Sequence, residues 1–173
     1  MSLLAARRQA EAVVQRLGIL RPAVKVFDVA KALGITVVRT HLGNDVSGLL
    51  ITKPNGTTIC VEDSHHSVRQ RFTVAHEIGH FCLRHQFEPG EHVHVDRGAL
   101  VSMRSPRSGQ GTDHREIEAN QFAASLLMPR AMVEAEVSRL GGIVSEELIS
   151  GLAKVFRVSE QAMTIRLGAL GFR

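Results

Sequence analysis

His76 and His80 bracket Glu77, Ile78 and Gly79 in the pentapeptide HEIGH. On an α-helix this spacing rotates the two imidazoles by about 40° and separates them by about 6 Å along the axis, so both can reach one metal ion. Glu77 is turned about 100° from His76, too far to be an equivalent ligand. It is placed instead to hold and deprotonate a water in the metal's open position. The segment thus points to metal-assisted hydrolysis, with His76 and His80 as metal ligands and Glu77 as the catalytic general base.

A catalytic zinc takes three protein ligands, so a second stretch of chain must supply another imidazole or carboxylate. The candidates are His85, His92, His94, His114, Glu116 and Glu118. His85 lies five residues past His80, turned away from the pair on an extended helix, and reads as an exposed surface histidine. His92 and His94 alternate in a possible short strand, but within a loop that would support a fixed ligand poorly. Glu116 and Glu118 both flank the apolar stripe of Ala119, Phe122, Ala123 and Leu126, and helical geometry alone does not separate them. Asp113-His114-Arg115-Glu116 has the form of a capping box, with Asp113 as N-cap and Glu116 folded back on the helix start. If Glu116 is so occupied, Glu118 is the carboxylate left to face the metal.

The elements that must position these groups can be read from periodicity and turn chemistry. Leu3 to Leu17 and Val26 to Leu33 have helical spacing and stop at Gly18 and Gly34. Ile35 to Thr40, Gly48 to Thr52 and Thr57 to Val61 read as three short antiparallel strands, the last two a hairpin around Pro54-Asn55-Gly56. Ser67 to Leu83 is the helix carrying HEIGH. Gly79 lowers helix propensity there and suggests close approach of another backbone, such as a strand. From Glu88 to Thr112 the chain turns rich in Gly, Ser, Pro, Arg and His, a long loop of the kind that forms an active-site lid or a disordered insertion. Helices follow over 113–128, from Pro129 to Leu140, from Ser145 to Phe156 and from Ser159 to Leu170. The expectation is one α+β domain over 1–173: helix, sheet and HExxH helix in 18–86, loop or lid in 87–112, and an all-helical part in 113–173.

Composition narrows the class further. The 173 residues are 44% hydrophobic, enough to bury one core without disulfides, and the chain has neither Trp nor Tyr. Cys60 and Cys82 show no disulfide framework and no CxxC spacing. No apolar run reaches the length of a signal peptide core or a spanning helix, so the expected location is the cytoplasm, away from membranes. The net charge is +4, with scattered Arg, which is not by itself a nucleic-acid signature.

RQRFTVAHEIGH from Arg69 to His80, followed by EIEANQFAASLLMP from Glu116 to Pro129, resembles the ImmA/IrrE family of HExxH metallopeptidases. The likeness extends to FDVAKALGITV and to LAKVFRVSEQAMTIRLGALG, and so covers most of the chain. It implies a zincin-like domain of gluzincin type, with a small antiparallel sheet packed on the HExxH helix. It also implies that zinc, or Mn in its place, is held by His76, His80 and the Glu of the EAN triplet, Glu118. The resemblance further implies an endopeptidase that cleaves a helix-turn-helix repressor in stress response, mobile-element or toxin–antitoxin control. Only one helix precedes the family segment, so that repressor should be a separate chain. Two other functions stay open: a zinc-dependent protein that sequesters a regulator without cutting it, and a DNA-binding module through Leu148 to Gly168. The second has only Lys154, Arg157 and Arg166 as phosphate-facing cations.

Overall fold

The computed structural model describes residues 2–43, 45–85, 93–96, 110–141 and 143–172. Helix α1 (Leu3–Arg16) is capped by the Ser2 hydroxyl, which accepts from the Ala5 amide, and buries the face made by Ala6, Ala10, Val13 and Val14. Helix α2 (Val26–Ala32) leads directly into strand β1 (Ile35–Thr40). Strands β2 (Gly48–Lys53) and β3 (Gly56–Glu62) form the expected hairpin, with Lys53 opposite Gly56.

The sheet departs from expectation in two ways. It is mixed rather than antiparallel, because β1 pairs with β3 in parallel, Ile35 opposite Thr57 and Thr40 opposite Glu62. A fourth strand, β4 (Val93–Asp96), adds antiparallel to the far side of β2, giving the order β1-β3-β2-β4. Local alternation marks a strand but carries no information about its neighbour, which is why the β1 partner could not be read from the pattern. β4 lies inside the stretch read as a loop or lid, and residues 86–92 and 97–109 of that stretch fall outside the described residues.

Helix α3 (Ser67–Cys82) is buried along most of its length, from Gln70 to His80. Its apolar residues Val74, Ala75 and Ile78 join Leu50, Ile59 and Val61 of the sheet in the core. The opposite side of α3 packs against helix α4 (Gln110–Leu127), which also rests on α1. Helices α5 (Arg130–Arg139), α6 (Glu146–Phe156) and α7 (Glu160–Leu170) complete an α+β chain with a helical C-terminal part. Ser145 and Ser159 cap the last two helices, accepting from Leu148 and Ala162 amides. Each such cap is worth about 1 kcal/mol. One contiguous core runs from Ala6 and Ala10 through Ile78 and Phe122 to Phe156 and Leu167. Among the described residues, no helix is long and apolar enough to cross a membrane.

A buried arginine ties the first half of α3 to the C-terminal helices. Arg71 donates to the carbonyl oxygens of Val24, Phe156 and Arg157 at 2.9, 3.3 and 3.2 Å. Arg157 ends α6 in the left-handed conformation at φ 55°, a position that disfavours any side chain, and the Arg71 bonds help hold that turn.

Candidate metal centre

The α3–α4 contact sets the geometry of the site. A methyl group added to Gly79 would lie 3.2 Å from Ala119 Cα, from the Ala119 carbonyl oxygen and from Phe122 Cβ. The close neighbour inferred from Gly79 therefore exists, but it is helix α4 and not a strand. On α4 the residues Glu116, Ala119, Asn120 and Ala123 recur at helical spacing, so one face presents both the small contact residue and two polar groups to α3.

His76 and His80 are buried, and their Nε2 atoms lie 3.0 Å apart. The carboxylate that meets them is Glu116, with Oε2 3.1 Å from His76 Nε2 and Oε1 3.4 Å from His80 Nε2. A tetrahedral zinc with ligand bonds of about 2.0–2.1 Å separates its ligand atoms by about 3.3 Å, and the three observed spacings lie within about 0.3 Å of that edge. The donor set also fits in type: two imidazoles and a carboxylate. Asn120 Oδ1 lies 2.9 Å from His76 Nδ1, which places an acceptor where the Nδ1 proton belongs and leaves Nε2 as the free lone pair.

Electrostatics act in the same direction. Burial is the main cause that pushes His80 down to about 4, with the charge of His76 adding to it and Glu116 opposing it. A metal ligand must be neutral imidazole, so this environment favours the competent form at neutral pH. Burial on its own would raise the Glu116 carboxyl. Hydrogen bonds and charge from His76 and His80 outweigh it and hold the group well below the usual carboxylate range.

Glu77 is fully buried on the sheet side of α3. The start of β2 comes close to it: a methyl on Gly48 would collide with Thr73 Cγ2 and lie 3.4 Å from Glu77 Oε1. Gly48 is thus small because the strand passes directly over the helix at this carboxylate.

Several sequence expectations are changed by this arrangement. Helix α4 begins at Gln110, so position 113 is inside the helix and cannot be its N-cap, and Glu116 stands in the second turn with no capping role. The carboxylate beside both Nε2 atoms is accordingly Glu116, whereas Glu118, the expected ligand, is directed to His85, with Oε2 3.1 Å from His85 Nε2. His85 is not a surface residue: its side chain is only 6% exposed, and its Nδ1 lies 2.9 Å from His80 Nδ1. The helix does not continue to residue 85. Arg84 turns left-handed at φ 53°, its amide bonding to the Phe81 carbonyl and the His85 amide to the His80 carbonyl, and this C-terminal motif returns His85 to the helix end. His114 is exposed on α4. His94 lies in β4, opposite Leu50, and His92 is outside the described residues. Asn120 was within the motif that carried the family resemblance, but no role for it was legible there.

Two imidazoles and a carboxylate converging from packed helices, with a buried glutamate alongside, define a metal-site domain of hydrolytic type. The model of the Peptidase_M78 family, described as IrrE N-terminal-like domain, matches residues 30–168, and the chain belongs to that peptidase family. The match takes in the whole sheet, both helices of the site and most of the C-terminal helices, in agreement with the ImmA/IrrE resemblance. No curated protein matches the chain.

Proposed function

We propose that the chain is a zinc-dependent endopeptidase in which His76, His80 and Glu116 hold the metal and Glu77 is the general base. The observation that carries this is the near-equal 3.0, 3.1 and 3.4 Å spacing of the three ligand-type atoms beside a buried glutamate. When bound, such an ion supplies Lewis acidity toward a peptide carbonyl and toward water; Mn in place of zinc would supply the same. The Glu77 carboxylate takes the proton of the attacking water and returns it to the departing amine nitrogen. His76 and His80 keep their Nδ1 protons turned to fixed partners and do not enter the proton transfer.

The proposed substrate is a helix-turn-helix repressor carried on a separate chain, cut in the cytoplasm as part of transcriptional control. Its support is the family membership and the resemblance of the two motifs. Direct binding of DNA is disfavoured by the position of Arg166, one of the three cations of the C-terminal helix pair, which is buried and donates to the Met128 carbonyl. The test is incubation of the purified chain with the repressor encoded beside it, with and without chelator, and with Glu77→Gln. Cleavage that needs both metal and Glu77 is expected. A stable complex that is never cut, under any metal, would replace the peptidase by a regulator-sequestering protein.

A further inference from the structure

The His85–Glu118 pair belongs to none of the roles assigned so far. Three polar groups run in series from the end of α3 to α4: His80 Nδ1 to His85 Nδ1 at 2.9 Å, then His85 Nε2 to Glu118 Oε2 at 3.1 Å. His80 and Glu118 are buried and His85 is partly buried, the side chains of His85 and Glu118 being 6% and 7% exposed. The donors and acceptors along this chain admit a self-consistent assignment. With Nε2 of His80 facing the metal position, its proton sits on Nδ1 and is donated to His85 Nδ1. His85 then carries its own proton on Nε2 and donates it to the Glu118 carboxylate.

We propose that His85 and Glu118 are positioning residues that lock the tautomer and ring orientation of the ligand His80, with Glu118 acting only through His85. The proposal rests on the metal-centre reading above and assigns Glu118 outside the ligand set. Its counterpart on the other ligand is Asn120, which meets His76 Nδ1 directly at 2.9 Å. The two ligands are therefore oriented by unequal means, one by a neutral amide and the other by a carboxylate acting through an imidazole. A carboxylate at the end of the chain raises the basicity of the imidazole it serves, so His80 is the more strongly donating of the two ligands.

The fold explains how the chain is built. The left-handed Arg84 brings His85 back onto the end of α3, and Gly79 against Ala119 and Phe122 fixes the register in which Glu118 reaches it. On α4, residues 116 and 118 are separated by about 200° of helical rotation, so the two carboxylates approach α3 from different sides of the α4 ridge.

The experiment measures zinc affinity of the full chain by competition with a chromogenic chelator, together with the visible spectrum of the cobalt-substituted protein. The variants are Glu116→Gln, Glu118→Gln, His85→Leu, His85→Gln and the double variant His85→Leu/Glu118→Gln, each checked for folding by thermal melting. Loss of an outer partner lowers metal affinity by about 10–100-fold, and that is the expected effect of His85→Leu and Glu118→Gln. His85→Gln, which retains an acceptor for His80 Nδ1, should recover part of the loss. In the His85→Leu background, Glu118→Gln should have no further effect, and the cobalt spectrum should change in shape only with Glu116→Gln.

If Glu118→Gln abolishes binding and alters the cobalt spectrum while Glu116→Gln leaves the spectrum intact, Glu118 is a ligand and the proposed relay is overturned, with the metal centre surviving. Additive losses from His85→Leu and Glu118→Gln would also overturn it. A wild-type chain that takes up no stoichiometric zinc or cobalt overturns the metal-centre reading and this proposal together. His85→Leu failing to fold would leave the decision to Glu118→Gln and His85→Gln, whose agreement or disagreement with the expected losses is sufficient.

Discussion

Helices α3 and α4 face each other across the same site but supply it by different means. α3 places His76 and His80 side by side through a four-residue interval that any regular helix provides. α4 carries two carboxylates two residues apart, and which one reaches the imidazoles depends on the axial and rotational register of one helix against the other. That register is held by the Gly79 contact with Ala119 and Phe122. The lesson is that the local half of the site tolerates small errors in packing, whereas the other half is as precise as the helix interface.

Substitutions separate the two halves of the site. The largest effect is expected on the local half: Glu77→Gln should leave zinc content near one per chain and lower the cleavage rate by about 10²–10⁴-fold, the usual contribution of a general base. Zinc lost along with activity would show that Glu77 helps to hold the metal. His76→Ala should drop zinc affinity by more than about 100-fold, beyond the range of outer-partner effects, and abolish cleavage by way of metal loss. Equilibrium dialysis against buffered zinc separates this outcome from that of Glu77→Gln.

The interface-dependent half is tested by Gly79→Val. Overfilling a tight contact costs about 1–3 kcal/mol, so a lower melting temperature is expected. The added bulk should also push α4 outward and weaken zinc binding, although no ligand has been changed. A stability loss with unaltered zinc affinity would mean that the ligating carboxylate does not depend on this contact.

The smallest effect lies outside both helices, at the end of β3. Glu62 accepts from the Leu42, Gly43 and Ser64 amides and from the Ser64 hydroxyl, and the Leu42 amide, followed by the Ser64 hydroxyl and amide, holds its carboxyl well below the usual range. A carboxyl lowered in the folded state contributes stability that is fully present above its unfolded value, about 4.5, and is lost as pH falls below that value. The melting-temperature difference between Glu62→Gln and wild type should therefore be largest near pH 7 and narrow progressively as pH falls from about 4.5 toward pH 3. A constant difference across that range would remove the carboxylate charge from the explanation.

The same division governs what could be read in advance. HEIGH, the α-helix that bears it, the β2–β3 hairpin with its Pro54-Asn55-Gly56 turn and the serine-started helices α6 and α7 are local patterns, and each is present. The parallel pairing of β1 with β3 was not legible, because alternation specifies a face and not a partner. The position of Glu116 beside the imidazoles is not legible because residues 113–116 have the chemistry of a helix start, whereas the helix begins at Gln110. The place of His85 is not legible because an ideal extension of α3 points it away, whereas Arg84 turns the chain back.

On its own the sequence established that His76 and His80 could share one ion, that Glu77 would stand apart from them, and that a third ligand, imidazole or carboxylate, must come from another stretch of chain. Those conclusions follow from helical rotation per residue and from the ligand count of a catalytic metal. Only the tertiary structure decided which carboxylate meets the imidazoles and what holds each ring in place. The physical reason is that such contacts join residues up to 44 positions apart, as between His76 and Asn120, and are set by how closely two helices can approach at a glycine.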